Sequence, residues 1–175
     1  MSFAVDEALD IVSKILVMNS ITAPKGVGRD DIVIELVKDD KIKEKILLKS
    51  KEIAKRSGFS FYERDAINCE NISHIIFIGY KMFYHGFDCG FCGFKTCVEC
   101  EEKGGMCAIS VTDAGIAIGS LVKLSAIFGV DNRIMLSIGQ AAKETGFFEE
   151  KVGGAYGIPL SATTKNPFFD RKIKV

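Results

Sequence analysis

The chain has 175 residues, of which 47% are hydrophobic, so it can form one compact domain that buries roughly 70% of its unfolded surface without disulfides or metals. Its 23 basic and 23 acidic residues cancel, which argues against a general nucleic-acid surface or an attraction to anionic membranes. Ser13 and Lys14 interrupt the first apolar stretch, residues 11–18, which predicts an amphipathic helix rather than a signal sequence. We therefore expect one cytoplasmic domain over residues 1–175, with neither nucleic acid nor membrane as a partner.

Apolar periodicity predicts helices and strands that alternate along the chain. Predicted helices cover residues 3–19, 39 or 40 to 57, 108–128 and 140–144. Predicted strands cover residues 32–37, 75–78, 134–138 and 156–159, most of which are rich in β-branched residues. The long apolar helix from Ala108 contains Asp113 and Lys123, which favours a central or interfacial helix over a membrane span. This order predicts an α+β domain with one mixed sheet.

Five of the six cysteines lie in one short segment, at Cys89, Cys92, Cys97, Cys100 and Cys107. In a reducing compartment, such clustering indicates metal binding or redox chemistry more often than structural disulfides. Cys69 stands alone, and we expect it to be a small buried apolar residue.

Three chemistries compete for this cluster. Zinc suits four thiolates, but a zinc ribbon separates its Cys-x2-Cys pairs by roughly 15 to 20 residues, whereas only four residues separate the pairs here. A zinc-binding structural or interaction module without catalysis is therefore the alternative. Thiol-disulfide exchange at Cys89 and Cys92 is a third reading, although the neighbouring glycines favour a loop over the strand and helix that this motif needs. An iron-sulfur cluster fits best, because Gly90 and Gly93 allow the backbone to fold around it.

The spacing Cys89-Gly-x-Cys92-Gly-x3-Cys97 resembles the small 4Fe-4S module of corrinoid iron-sulfur proteins and of some membrane-associated electron-transport subunits. In that module a more distant cysteine completes the site, which implies Cys107 as the fourth ligand. Cys100 is the alternative, because it can share a helical turn with Cys97. We expect the two histidines to be packing residues, with His85 close to the ligands and His74 in the core.

Three further segments, residues 113–120, 130–135 and 157–171, are similar to an uncharacterised family of ferredoxin-domain-containing proteins from anaerobic bacteria and archaea. The order of elements, with Thr22-Ala23-Pro24 after the first helix and Gly157-x-Pro159 in the last strand, also resembles the nitroreductase flavoproteins. Those proteins are homodimers that bind FMN between their subunits.

The nitroreductase resemblance implies a mixed sheet flanked by helices, with the cysteine-rich loop of residues 85–107 inserted before the long central helix. It also implies a homodimer formed through that helix, and Lys165 or Arg171 as contacts of an FMN phosphate. The basic Arg-x-Ser-x-Arg segment that opens many nitroreductases is absent from residues 1–16, so the sequence leaves open whether FMN is bound in addition to the cluster.

Together these features predict a 4Fe-4S protein that transfers electrons or carries out the ferredoxin-linked reduction of an unknown small substrate. A ferredoxin-like protein is the expected electron donor, and an oxidoreductase is the favoured enzyme class. The sequence assigns no catalytic residue.

Overall fold

The computed structural model describes residues 3–169, which form six helices and four strands, and the helices over residues 61–69 and 97–102 were not predicted. The helices are α1 (Phe3–Ile21), α2 (Asp40–Ser57), α3 (Phe61–Cys69), α4 (Cys97–Glu102), α5 (Ala108–Ile127) and α6 (Leu136–Glu144). The strands are β1 (Ile32–Val37), β2 (His74–Lys81), β3 (Asp131–Asn132) and β4 (Val152–Ser161), and a 3₁₀ turn (Gly26–Gly28) follows α1.

The sheet has the strand order β1-β2-β4-β3, and β2 lies near its centre. Every residue of β2 from His74 to Tyr80 is buried, as its unbroken apolar run predicts. Every strand pair in the described chain is antiparallel. The prediction of a mixed sheet, which would contain both parallel and antiparallel pairs, is therefore wrong. Two helices, α2 and α3, connect β1 to β2, and this pair returns the chain beside β1 in the opposite direction.

The two faces of the sheet carry separate hydrophobic cores, because successive side chains of a strand point to opposite faces. Ile75 and Phe77 of β2 pack with residues of α2, α3 and α6. Ile76 and Ile78 pack with residues of α1 and α5. The sheet is therefore flanked by helices on both sides, which confirms the α+β class.

The strand predicted for residues 134–138 is wrong. Met135 makes only an isolated bridge to Gly157, and α6 begins at the next residue. Met135, Ile138, Ala141 and Ala142 are all buried, and their spacing of three, three and one residues puts them on one helical face. The segment therefore forms a helix, although its β-branched residues favour a strand.

Helix α5 spans 20 residues. Among the described residues, it is the one helix whose length and apolar composition would allow it to cross a membrane. The rest of the chain buries 39% of the most apolar 18-residue stretch of α5. The apolar residues that α5 leaves exposed include Val111, Ile116 and Ile127, and Lys123 is exposed on the same helix.

His74 is a core histidine whose polar atoms are paired, as predicted. Its Nε2 atom lies 2.5 Å from Asp10 Oδ1, and its Nδ1 atom lies 2.8 Å from Ser73 Oγ. Lys38 Nζ contacts the same Asp10 oxygen at 2.6 Å. Hydrogen bonds from Lys38, and then from His74, lower the pKa of Asp10 to about 2.

We expect the substitution Asp10→Asn to weaken the dependence of stability on acid pH. The folded pKa of Asp10 lies below its unfolded value of about 3.9, so the unfolded chain binds more protons between these values. The stability that Asp10 contributes is therefore complete above about pH 4 and is lost as the pH falls towards about 2. Urea unfolding of both proteins across this range should show a difference that shrinks with acidification; a constant difference would contradict the prediction.

Candidate metal centre

The loop between β2 and α5 brings its five cysteines to one place. Residues 82–107 leave the end of β2 and return to the start of α5. One small cavity in this loop is lined by all five thiols, those of Cys89, Cys92, Cys97, Cys100 and Cys107. Tyr84, Phe94 and Thr96 also line this cavity, which we call the cysteine cavity. The structure thus brings together the four predicted ligands and the rival fourth ligand.

Left-handed backbone turns fold the loop around the cysteine cavity. Gly90 has φ 73° and Gly93 has φ 85°, conformations that glycine adopts without steric cost. The Gly93 amide donates to the Gly90 carbonyl at 2.9 Å. Asp88 also has a positive φ, and its Oδ1 atom accepts from the Cys97 amide at 2.7 Å. Asp88 therefore fixes Cys97 beside the Cys89–Cys92 turn.

Helix α4 places Cys97 and Cys100 on neighbouring positions of one turn. Thr96 is the N-cap residue, and its side chain accepts from the Glu99 amide at 3.1 Å. Cys100 is buried behind the cavity, where the Gly105 amide donates to its carbonyl at 2.7 Å. A Cβ atom at Gly105 would lie 2.5 Å from Phe94 Cε2 and 2.9 Å from Cys100 Sγ. A side chain at position 105 would therefore require Phe94 and Cys100 to shift.

Cys107 occupies a different environment, at the N-cap of α5. Burial raises the pKa of its thiol, but hydrogen bonds from the Ser110 amide, the His85 ring and the His85 and Ile109 amides outweigh burial and lower that pKa to about 7. By contrast, burial and the neighbouring Cys92 thiol raise the pKa of Cys100 to about 11. Near neutral pH, Cys107 is therefore the better thiolate of the two.

The five loop cysteines line the cysteine cavity. Within residues 3–169, no three His, Cys, Asp or Glu side chains stand close enough together to hold a single metal ion. A 4Fe-4S cluster accepts its thiolates at separate iron corners, so it suits a ring of sulfurs with a wider spacing than one ion requires. Cysteine thiolates of this number are donors of the kind that an iron-sulfur cluster takes.

A buried polar group lies behind Cys107. His85 Nδ1 is 3.6 Å from Cys107 Sγ, which agrees with the expectation that His85 packs close to the ligands. On the other edge of the ring, Nε2 lies 4.0 Å from Asp31 Oδ2 and 4.0 Å from Asp113 Oδ2. Sequence reasoning did not assign a role to either aspartate, and no spacing rule connects positions so far apart.

The remaining candidate residues lie elsewhere. Cys69 is buried in the core with its sulfur 3.7 Å from Met135 Sδ, and burial raises the pKa of its thiol to about 12, which confirms the predicted apolar role. Lys165 is exposed in the segment after β4, where its carbonyl accepts from Thr163 Oγ1 at 2.7 Å. Arg171 lies outside the described residues.

Sequence comparison connects the chain to a known family. Residues 103–171 match the family described as uncharacterised proteins containing a ferredoxin domain. A curated protein of Archaeoglobus fulgidus, named "Uncharacterized protein", is 39% identical over 178 residues, covering 97% of this chain and 95% of the relative. The chain belongs to this ferredoxin-domain family.

Solved nitroreductases share the fold of this ferredoxin-domain protein. A nitroreductase with bound FMN from Desulfitobacterium hafniense aligns with a TM-score of 0.60 at 18% identity, over 95% of this chain and 85% of that one. NfrA2 of B. megaterium aligns with a TM-score of 0.59 at 12% identity, over 94% of this chain. The chain spans 61% of NfrA2 and 58% of the hypothetical oxidoreductase YcnD from Bacillus subtilis. At these identities the likeness confirms the nitroreductase-like fold.

Proposed function

We propose that the protein is an iron-sulfur redox protein in which Cys89, Cys92, Cys97 and Cys107 bind one 4Fe-4S cluster. The observation that carries this proposal is the meeting of five loop thiols around the cysteine cavity. Cysteine thiolates are the usual ligands of such clusters, and the family's ferredoxin domain supports the same redox chemistry.

The choice of Cys107 over Cys100 rests on their surroundings. Cys107 is the N-cap residue of a 20-residue helix, and the positive end of that helix stabilises negative charge on its sulfur. Cys100 is pressed against Gly105 and Phe94 in a buried corner, where a charged sulfur is costly. Cys100 therefore serves as a packing residue beside the cluster.

A bound cluster supplies one-electron transfer, and the residues of the chain hold and shield it. The Asp88 carboxylate fixes the backbone at Cys97, and the Gly90–Gly93 turn closes one side. Tyr84 and Phe94 cover the cavity with aromatic rings, and the Tyr84 hydroxyl is held by the Gly105 carbonyl at 2.8 Å. These groups fix the ligand residues, and such contacts help to set the reduction potential of a cluster.

Metal analysis of the anaerobically purified full-length protein tests this proposal. We expect a brown protein with broad visible absorbance that contains about four irons and about four sulfides per chain. A colourless protein with one zinc per chain would overturn the proposal and favour the structural zinc module. That module also predicts unfolding on chelation.

We also propose a reductase role in the cytoplasm, with a ferredoxin-like protein as electron donor and FMN as a second cofactor. Support comes from the fold shared with the FMN-containing D. hafniense nitroreductase. Two residues are proposed to contact the FMN phosphate. They are Lys165, which is exposed after β4, and Arg171, which lies outside the described residues. Release of a fluorescent flavin on heating the purified protein tests this cofactor separately from the cluster.

A homodimer formed through α5 is proposed as the assembly. Exposed apolar side chains lie on α5, at Ile116 and Ile127, and on the neighbouring α1, at Ile11 and Met18. Exposed apolar side chains on neighbouring helices support a subunit interface there.

We expect Ile116→Lys to convert this dimer to a monomer, because a charged side chain would be buried in the apolar interface. Light scattering after gel filtration measures the mass. Ile67→Lys, which changes an exposed isoleucine of α3, is the matched control and should leave the mass unchanged. An unaltered protein that elutes as a monomer would contradict the dimer.

A further inference from the structure

Three buried polar side chains, Asp31, His85 and Asp113, form a group behind Cys107 that we call the His85 cluster. The side chains of His85, Asp31 and Asp113 are 1%, 8% and 5% exposed. Among the described residues, His85 Nε2 and Asp31 Oδ2 lack a hydrogen-bond partner although both are buried. Burying polar atoms in this way is unfavourable, and an apolar residue would fill the space at less cost. Packing alone therefore does not account for the group.

The His85 ring is held on every side. Phe83 and Phe87 lie against it with ring centroids 5.2 and 5.3 Å away. The turn at Gly26 closes over the ring so tightly that a Cβ atom there would lie 3.1 Å from Nε2. Asp113 Oδ2 fixes this turn by accepting from the Gly26 amide at 3.0 Å. The ring is thus set in one orientation, with Nδ1 directed at the Cys107 sulfur.

Asp31 is fixed from the outside of the cluster. Arg29 Nε pairs with Asp31 Oδ1 at 3.1 Å, and the Arg29 guanidinium stacks 3.2 Å from the centre of the Phe83 ring. The remaining oxygen, Oδ2, faces the Nε2 edge of His85 together with Asp113. Both carboxylates therefore face one edge of the ring, and the opposite edge faces the Cys107 sulfur.

We infer that His85 is a positioning residue for the proposed cluster, donating a hydrogen bond from Nδ1 to the Cys107 sulfur while Phe83, Phe87 and the Gly26 turn hold the ring in place. This inference rests on the proposed 4Fe-4S cluster. A hydrogen bond to a ligand sulfur stabilises the reduced, more negative cluster over the oxidised one. His85 therefore raises the reduction potential of the cluster.

A redox titration of anaerobically purified full-length protein, followed by electron paramagnetic resonance, tests this inference. His85→Phe keeps an aromatic ring but removes the donor, and we expect its one-electron reduction to become about tenfold less favourable, a fall of about 59 mV. His85→Asn can place an amide donor where Nδ1 lies, and it should retain most of the original potential. If His85→Phe does not fold, His85→Gln, which keeps a polar group against the carboxylates, makes the same comparison.

The other histidine of the chain supplies the control. His74 is buried on β2 and bonded to Asp10, so His74→Asn should lower stability without changing the potential. A fully loaded His85→Phe protein with the unaltered potential would overturn the inference and leave the proposed cluster intact. An unaltered protein that binds no iron would instead overturn the proposed function, and the inference with it.

Discussion

Anaerobically purified Cys107→Ser protein is expected to lose most of its iron, by roughly tenfold or more, since even the outer partners of metal ligands are worth 10- to 100-fold in affinity. Serine keeps the size of the side chain but cannot supply the soft thiolate that iron-sulfur clusters need. The substitution should leave the rest of the fold intact, because α5 continues for 20 residues beyond this cap. Iron and sulfide content per chain is the measurement, with circular dichroism to show that the fold persists.

Cys100→Ser is the matched control, because it makes the same chemical change in a thiol that lines the same cavity. We expect it to keep its iron, with a modest loss of stability from burying a hydroxyl. The reverse result, iron retained without Cys107 and lost without Cys100, would make Cys100 the fourth ligand. Cys69→Ser should keep its iron in either case, because Cys69 lies in the core.

The second large effect is expected at Gly139, where α6 lies directly against β4. A Cβ atom there would lie 2.1 Å from the Ala155 carbonyl oxygen and 2.4 Å from Tyr156 Cα, both of them backbone atoms. Alanine would gain about 1 kcal/mol of helix propensity, but overpacking against a rigid backbone costs about 3 kcal/mol or more. We therefore expect Gly139→Ala to lower the free energy of unfolding by about 2 kcal/mol or more, measured by urea denaturation.

Gln140→Ala is the control for Gly139→Ala, since it lies on the same helix and is only partly buried. Its effect should stay within about 0.5 kcal/mol. A stabilised Gly139→Ala protein would show that α6 can move away from β4 without loss of the core, contrary to the close packing described above.

Local signals predicted the elements whose apolar pattern is long and regular. The β2 strand follows from the run Ile75-Ile76-Phe77-Ile78, and α2 from its Asp39 cap and its stop at Gly58, both of which the structure shows. Helix α4 was missed although Thr96 and Glu99 have the spacing of a capping box. Its six residues are too few for an apolar period to appear.

Only part of the candidate site could be predicted from the sequence. The close spacing of the five cysteines in the sequence predicts a site, and the structure shows them around one cavity. What distinguishes Cys107 from Cys100 is the start of a helix and the approach of His85, which depend on the fold. The His85 cluster joins positions from three separate segments, so it exists only once β1, the loop and α5 have packed together.

The two hydrophobic cores contain no residue between positions 82 and 107. The free energy that holds the sheet and its helices together therefore does not depend on what the cysteine loop binds. Because the exposed part of this loop can open on its own, amide hydrogens of residues 88–99 should exchange with solvent far sooner than those of β2, and a ligand in the cavity should slow only the former. The exposed part of the loop would then behave as a separate cooperative unit, which can lose and rebuild its structure while the rest of the chain stays native.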